Sequence, residues 1–172
     1  MKCPNCGNEA GKDYNFCKFC GTRLDEINTN PAVTVSPLEE DIIKTIIKRF
    51  DGIKNKDENL VNSIIDVEKY SKFDDWPPYK RQTGYDALKN EFSAFKVLSN
   101  YNYDYNDFKV DIMGDTAIAT FLLHYSGEMR KKTFEVYSRV TIVLEKQGSE
   151  WKIIHEHYSQ FPPERKQGWL WR

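Results

Sequence analysis

Near Tyr101 the hydrophobic period of this chain changes, and that change restricts the folds open to it. Upstream, apolar residues recur at helical spacing: Ile42, Ile43, Ile46, Ile47 and Phe50, then Leu60, Val61, Ile64 and Ile65, then Tyr85, Leu88, Phe92 and Phe95. Downstream the period is two, with Tyr101, Tyr103 and Tyr105 alternating with Asn102, Asp104 and Asn106 before Phe108, Val110 and Ile112. Three- and four-residue recurrence puts side chains on one face of a helix, and two-residue recurrence puts them on one face of a strand. Helices followed by consecutive antiparallel strands imply an α+β fold in which a curved sheet wraps over three helices.

Local signals set the boundaries. Ser36, Pro37 and Glu39 spell a capping box with proline at the first helical position, and Gly52 is expected to close that helix. A second helix is expected from about Asp57. Val67 to Phe73 suits a short strand, and Asp74-Asp75-Trp76-Pro77-Pro78-Tyr79 must be a loop, because consecutive prolines continue neither helix nor central strand. Thr83 is expected to cap a third helix. Gly114-Asp115 suits a tight hairpin, the return strand is expected over 116–125 with Ser126-Gly127 ending it, a long strand follows over 132–145, and a turn at Gly148 delivers the last strand.

That last strand reads Trp151-Lys152-Ile153-Ile154-His155-Glu156-His157-Tyr158-Ser159-Gln160. Uninterrupted alternation places Trp151, Ile153, His155, His157 and Ser159 on one face and Lys152, Ile154, Glu156 and Tyr158 on the other. The first set grades from apolar to polar, as a pocket wall does, although a half-buried strand with merely hydrogen-bonded histidines has the same pattern. Together with Arg139, Thr141 and the Gly148 turn, this strand resembles the closing strands of the SnoaL-like branch of the nuclear transport factor 2-like superfamily. That branch often ends on Arg-x-Thr, a glycine turn and Trp-x-x-x-His-x-His-x-Ser. The resemblance spans 37–163 and implies a cone-shaped sheet, a pocket bearing His155, His157, Arg139, Trp76 and Tyr85, and a homodimer formed through the sheet.

The four cysteines of the chain fall in two copies of one device, Cys3-Pro4-Asn5-Cys6-Gly7 and Cys17-Lys18-Phe19-Cys20-Gly21. Each Cys-x-x-Cys-Gly is a tight turn in which the glycine accepts a positive φ, and two such turns supply four thiolates for tetrahedral Zn²⁺ at metal–sulfur distances of about 2.3 Å. The pattern resembles the short zinc ribbons at the N-termini of many prokaryotic proteins. Cys3, Cys6, Cys17 and Cys20 are therefore expected to bind a structural zinc. A redox pair would want a strand and a helix N-terminus around it. The expected organisation is a zinc ribbon over 1–24, a linker over 25–36, the SnoaL-like domain over 37–163 and a tail over 164–172.

With 25 Lys+Arg against 26 Asp+Glu and a net charge of -1, no basic excess points to nucleic acid. The tyrosine stripe is interleaved with Asn and Asp rather than with the cations that hold phosphates, so cross-strand packing is its expected role. No apolar run is long enough to span a bilayer or serve as a signal peptide, and a cytoplasmic protein with reduced thiols is expected. The ribbon, or Trp169 and Trp171 near the chain end, could meet a protein partner.

The leading functional expectation is a non-enzymatic module that binds a small molecule or oligomerises. The alternative is an isomerase- or cyclase-like enzyme moving a proton next to a carbonyl. In that reading His155 or His157 is the base, Asp75 orients it, and Tyr85 or Arg139 donates to the enolate. A second metal on His124, His155 and His157 would need His124 near the others, which nothing in the sequence arranges.

Overall fold

The computed structural model describes residues 2, 3, 6–9, 17, 19 and 36–161. Cys20, the linker up to residue 35, and the tail with Trp169 and Trp171 lie outside the described residues, so the expectations placed on them have no structural counterpart.

Helix α1 spans Pro37–Asn55 and starts as the sequence predicts. The Glu39 amide donates to Ser36 Oγ at 3.3 Å, and Glu39 Oε2 accepts from the Ser36 amide at 2.9 Å. The helix runs through Gly52 and closes at Lys56, whose φ of 56° is left-handed. Gly52 is needed for packing instead: a Cβ there would lie 2.6 Å from Cγ2 of Val61 on helix α2, Glu58–Ile64. Asp57 caps α2 by accepting from the Leu60 amide at 2.9 Å.

Strand β1 is shorter than expected, Ser71–Phe73, and is followed by β2 (Gln82–Thr83) and α3 (Gly84–Phe95). Thr83 occupies the cap position of α3 without a side-chain bond to it. Four long strands follow: β3 (Leu98–Met113), β4 (Thr116–Met129), β5 (Lys132–Gln147) and β6 (Glu150–Gln160). Strand β4 passes straight through Ser126-Gly127 to Met129, and its hairpin turns at Arg130 and Lys131, both with positive φ. The sheet order is β2-β1-β6-β5-β4-β3. Strands β3 to β6 form the expected antiparallel meander, but β1 joins β6 in parallel, so the sheet is mixed.

The core lies where the sheet curves over α1. Ala119, Phe121, Val140 and Ile142 point inward against Ile42, Ile46 and Phe50, all of them buried. The tyrosine stripe belongs to this inner face: the Tyr103 ring lies 5.2 Å from Phe50, and its hydroxyl donates to Asp51 at 2.8 Å. Apolar burial of this kind, at roughly 25 cal/mol per Å², is what holds helix to sheet. Among the described residues no helix is long and apolar enough to cross a membrane.

Candidate functional site

Beyond the packed half of the sheet, α1, α3 and the open end of β3–β5 diverge and leave a cavity of about 700 Å³. Its wall is mostly apolar and aromatic, and a charged floor closes one side.

The floor is built around Arg49. Its Nε and Nη2 donate to the two oxygens of Glu156 at 2.8 and 3.1 Å, and its Nη1 and Nη2 to those of Glu91 at 2.6 and 2.7 Å. Lys72 Nζ adds contacts of 2.9 Å to Glu91 and 2.8 Å to Asp74, and the Tyr70 hydroxyl donates to Glu156 at 2.7 Å. Burial alone would raise the Glu91 carboxyl, but the Arg49 and Lys72 charges outweigh it and hold the group down at about 2.

Asp75 comes from the proline-containing loop and is buried at the edge of this floor. Its Oδ1 accepts from the Tyr125 hydroxyl at 2.8 Å, its Oδ2 accepts from the Ser138 hydroxyl, and the Trp76 indole N–H donates to the Tyr125 oxygen at 2.8 Å. Gln160 Nε2 fixes the loop by donating to the Asp75 carbonyl at 3.0 Å. Burial raises the Asp75 carboxyl above its ordinary value against the lowering effect of the two hydroxyls. Burial and the neighbouring Asp75 charge likewise push the Tyr125 phenol up. The pair is thus a carboxyl with a weakened hold on its charge and a firmly protonated hydroxyl, facing an apolar space.

Of the residues predicted for the pocket, Trp76 lines this cavity, whereas His155, His157, Arg139 and Tyr85 are not among its lining residues; Asp75, predicted to orient a histidine base, lines it too. The histidines are placed by a β-bulge. Val143 pairs with His155 and Leu144 with Ile153, leaving Ile154 as the extra residue. One extra residue exchanges the two faces beyond it. Trp151 and Ile153 therefore share the inner face with Glu156 and Tyr158, and the uninterrupted alternation expected from the sequence does not hold. His155 and His157 sit on the outer face with Phe73, whose ring lies 6.3 and 5.5 Å from theirs, and His155 Nδ1 lies 2.8 Å from Ser71 Oγ. Arg139 is on that outer face too, over Phe161 at 5.1 Å, and Tyr85 is 71% exposed on α3. His124 pairs with Glu135 at 2.9 Å, and the only cluster of metal-ligating groups among the described residues is made of cysteines.

The floor itself is absent from the sequence-based site. Arg49 did leave a signal, since it follows Ile42 by seven positions and Ile46 by three and so stands on the apolar stripe of α1. Glu156 left none, because its face depends on the bulge.

At the N-terminus, the Gly7 amide donates to the Cys3 carbonyl at 2.9 Å, and Gly7 has the positive φ expected of it, 72°. The sulfurs of Cys3, Cys6 and Cys17 lie within 4.8 Å of one another, with Cys6 and Cys17 3.6 Å apart. Thiolates sharing a tetrahedral ion at about 2.3 Å would be about 3.8 Å apart, so these three could hold a metal ion.

Comparison with known proteins agrees with this architecture. No curated protein matches the chain in sequence. Among solved structures, a nuclear transport factor 2-like superfamily protein from Salmonella enterica superposes with a TM-score of 0.67 at 21% identity, covering 80% of this chain and all of that one (100%). A protein from Streptomyces avermitilis, named as a dehydratase of the same family, gives 0.65 at 15% identity over 72% of this chain and 96% of its own. The calcium/calmodulin-dependent kinase II hub of S. rosetta gives 0.62 at 20% identity over 75% and 100%. Residues 1–25 match a domain of unknown function (DUF7575). Residues 53–164 match the SnoaL-like domain model, and the chain belongs to that family.

Proposed function

We propose that this protein is a small-molecule-binding module of the SnoaL-like family, carried behind a zinc ribbon and self-associating through its sheet. The observation that carries the reading is the cavity of about 700 Å³, apolar over most of its wall, closed on one side by the charged floor and bearing the convergent polar set Asp75–Tyr125–Trp76. Pockets of roughly 300–1,000 Å³ with few polar groups are typical of small-molecule sites. Thermal unfolding in the presence of a library of apolar-bodied small molecules tests it. Saturable stabilisation is expected for some members and should be lost in Ala94→Trp, which fills the cavity from α3. A library that stabilises nothing counts against the reading.

The zinc assignment is supported by the three clustered sulfurs and by the repeat that supplies Cys20 as the fourth ligand. With all four positions filled by thiolate, the ion would organise the ribbon and carry no reaction. Self-association is supported by the likeness to a kinase hub.

One observation favours a second reading, an enzyme that moves a proton next to a carbonyl or removes water. Asp75, with its raised carboxyl, stands beside the protonated Tyr125 hydroxyl on the cavity wall. General acid–base catalysis wants such a tuned group, and a buried hydroxyl can steady developing negative charge. In this reading the base is Asp75 rather than His155 or His157, which lie on the outer face. Turnover lost in Asp75→Asn and kept in His155→Ala and His157→Ala is the expected pattern.

A further inference from the structure

The cavity floor distributes its charges unevenly. Two buried cations serve three carboxylates: Arg49 engages Glu91 and Glu156, and Lys72 engages Glu91 and Asp74. Asp75 stands outside this set. It is held by the hydroxyls of Tyr125 and Ser138, and among the described residues no cation pairs with it. A buried carboxylate held by two hydroxyls beside a second carboxyl, Asp74, and with no cation of its own, favours a positive group in the space it faces.

The wall above Asp75 is aromatic. Trp76, Tyr101, Tyr125 and Phe134 all line the cavity and form one connected set, with ring centroids 5.1 Å apart for Trp76–Phe134, 5.9 Å for Tyr101–Tyr125 and 6.0 Å for Tyr125–Phe134. Ring faces carry partial negative charge and attract weakly hydrated cations, most strongly where water is excluded. Arg130 and Lys132 line the mouth but are exposed, where salt screens charge beyond about 8 Å. The interior therefore decides the sign of the ligand. An anion would have to approach Asp74, Asp75 and Glu91, while the cations that could offset them are already engaged.

Building on the ligand-binding reading above, we propose that the cavity takes an organic cation. The ligand is an alkyl- or arylalkylammonium whose head seats on Asp75 against Trp76, Tyr101, Tyr125 and Phe134, and whose apolar body extends toward Phe95 and Leu98.

Titration calorimetry of the full chain with phenylbutylamine, phenylbutanol and phenylbutyrate separates head-group charge from body. The amine is expected to bind about tenfold tighter than the alcohol, in keeping with a desolvated cation–π contact plus a counter-charge, and the carboxylate weakest. Asp75→Asn should bring the amine down to the level of the alcohol. Tyr101→Leu, which keeps the carboxylate and removes one ring, should weaken the amine several-fold and leave the alcohol within about twofold. An alcohol or carboxylate that binds as well as the amine overturns the cation proposal and leaves the small-molecule reading standing. The cation proposal also falls if all three probes fail while the thermal screen finds neutral or anionic ligands. Silence from the probes and the screen together removes both.

Discussion

Arg49 on α1 and Glu156 on β6, 107 positions apart, meet in the interior through two hydrogen bonds of 2.8 and 3.1 Å, with both side chains at most 1% exposed. Removing one partner of such a pair strands the other. Arg49→Met is therefore expected to cost about 3–5 kcal/mol, since it leaves Glu156 without a counter-charge and Glu91 with Lys72 alone. Glu156→Gln keeps the shape and part of the hydrogen bonding and should cost less. Urea unfolding of the two variants gives the comparison, and equal midpoints would contradict it.

Acid should loosen the same floor. The folded Glu91 carboxyl is depressed from its ordinary 4.5 to about 2, so its contribution is fully present above 4.5 and is lost as pH falls through about 2. That contribution is on the order of 3 kcal/mol. Asp75 has the opposite sign, because a raised carboxyl loses stability as pH rises from its ordinary 3.8 through its folded value. The stability difference between wild type and Glu91→Gln, followed by urea midpoint against pH, should shrink on acidification below 4.5. A pH-independent difference would rule this out.

Gly52 makes α1 and α2 fit. A methyl group there meets Val61 Cγ2 at 2.6 Å, so Gly52→Ala is expected to destabilise by about 1–3 kcal/mol despite the better helix propensity of alanine. Adding Val61→Ala should recover part of the loss, and strict additivity of the two changes in thermal unfolding would argue against the contact.

The cysteine cluster predicts one bound zinc per chain by elemental analysis. Cys6→Ser and Cys20→Ser should each lower zinc occupancy sharply. Chelation should disturb the ribbon while leaving urea unfolding of the SnoaL-like domain unchanged within about 0.5 kcal/mol. Full-length protein without stoichiometric metal would refute the assignment.

If copies of the chain meet through the outer face of the sheet, Leu122 on β4 and Val143 on β5, both half-buried there, lie in the contact. Leu122→Asp should then shift the sedimenting species toward monomer without altering the thermal midpoint measured at low concentration. A wild-type chain that stays monomeric at high concentration would exclude this arrangement.

The helices and the meander were legible because their signals are local. Ser36 and Glu39 announce a cap that forms as expected, and alternation from Tyr101 marks the inner face that packs on Phe50. The site was less legible because it depends on one residue out of register. Counting by twos along β6 puts His155 with Ile153, but the bulge at Ile154 sends the imidazoles outward and turns Glu156 toward Arg49. Nothing in the side chains of Ile153-Ile154 encodes that slip, because either isoleucine satisfies a buried or half-buried position. The parallel pairing of β1 with β6 was equally hidden: three residues, Ser71–Phe73, are too few for a periodic signal, and the pairing spans most of the domain.

The position of β6 in the sheet also orders events during synthesis. Its neighbours are β5, just before it, and β1, more than half the domain earlier, so the sheet and the charged floor stay incomplete until Glu156 has left the ribosome. Until then Arg49 and Tyr70 lack their closing partner, and the nascent chain carries unpaired edges on β1 and β5 that invite intermolecular pairing.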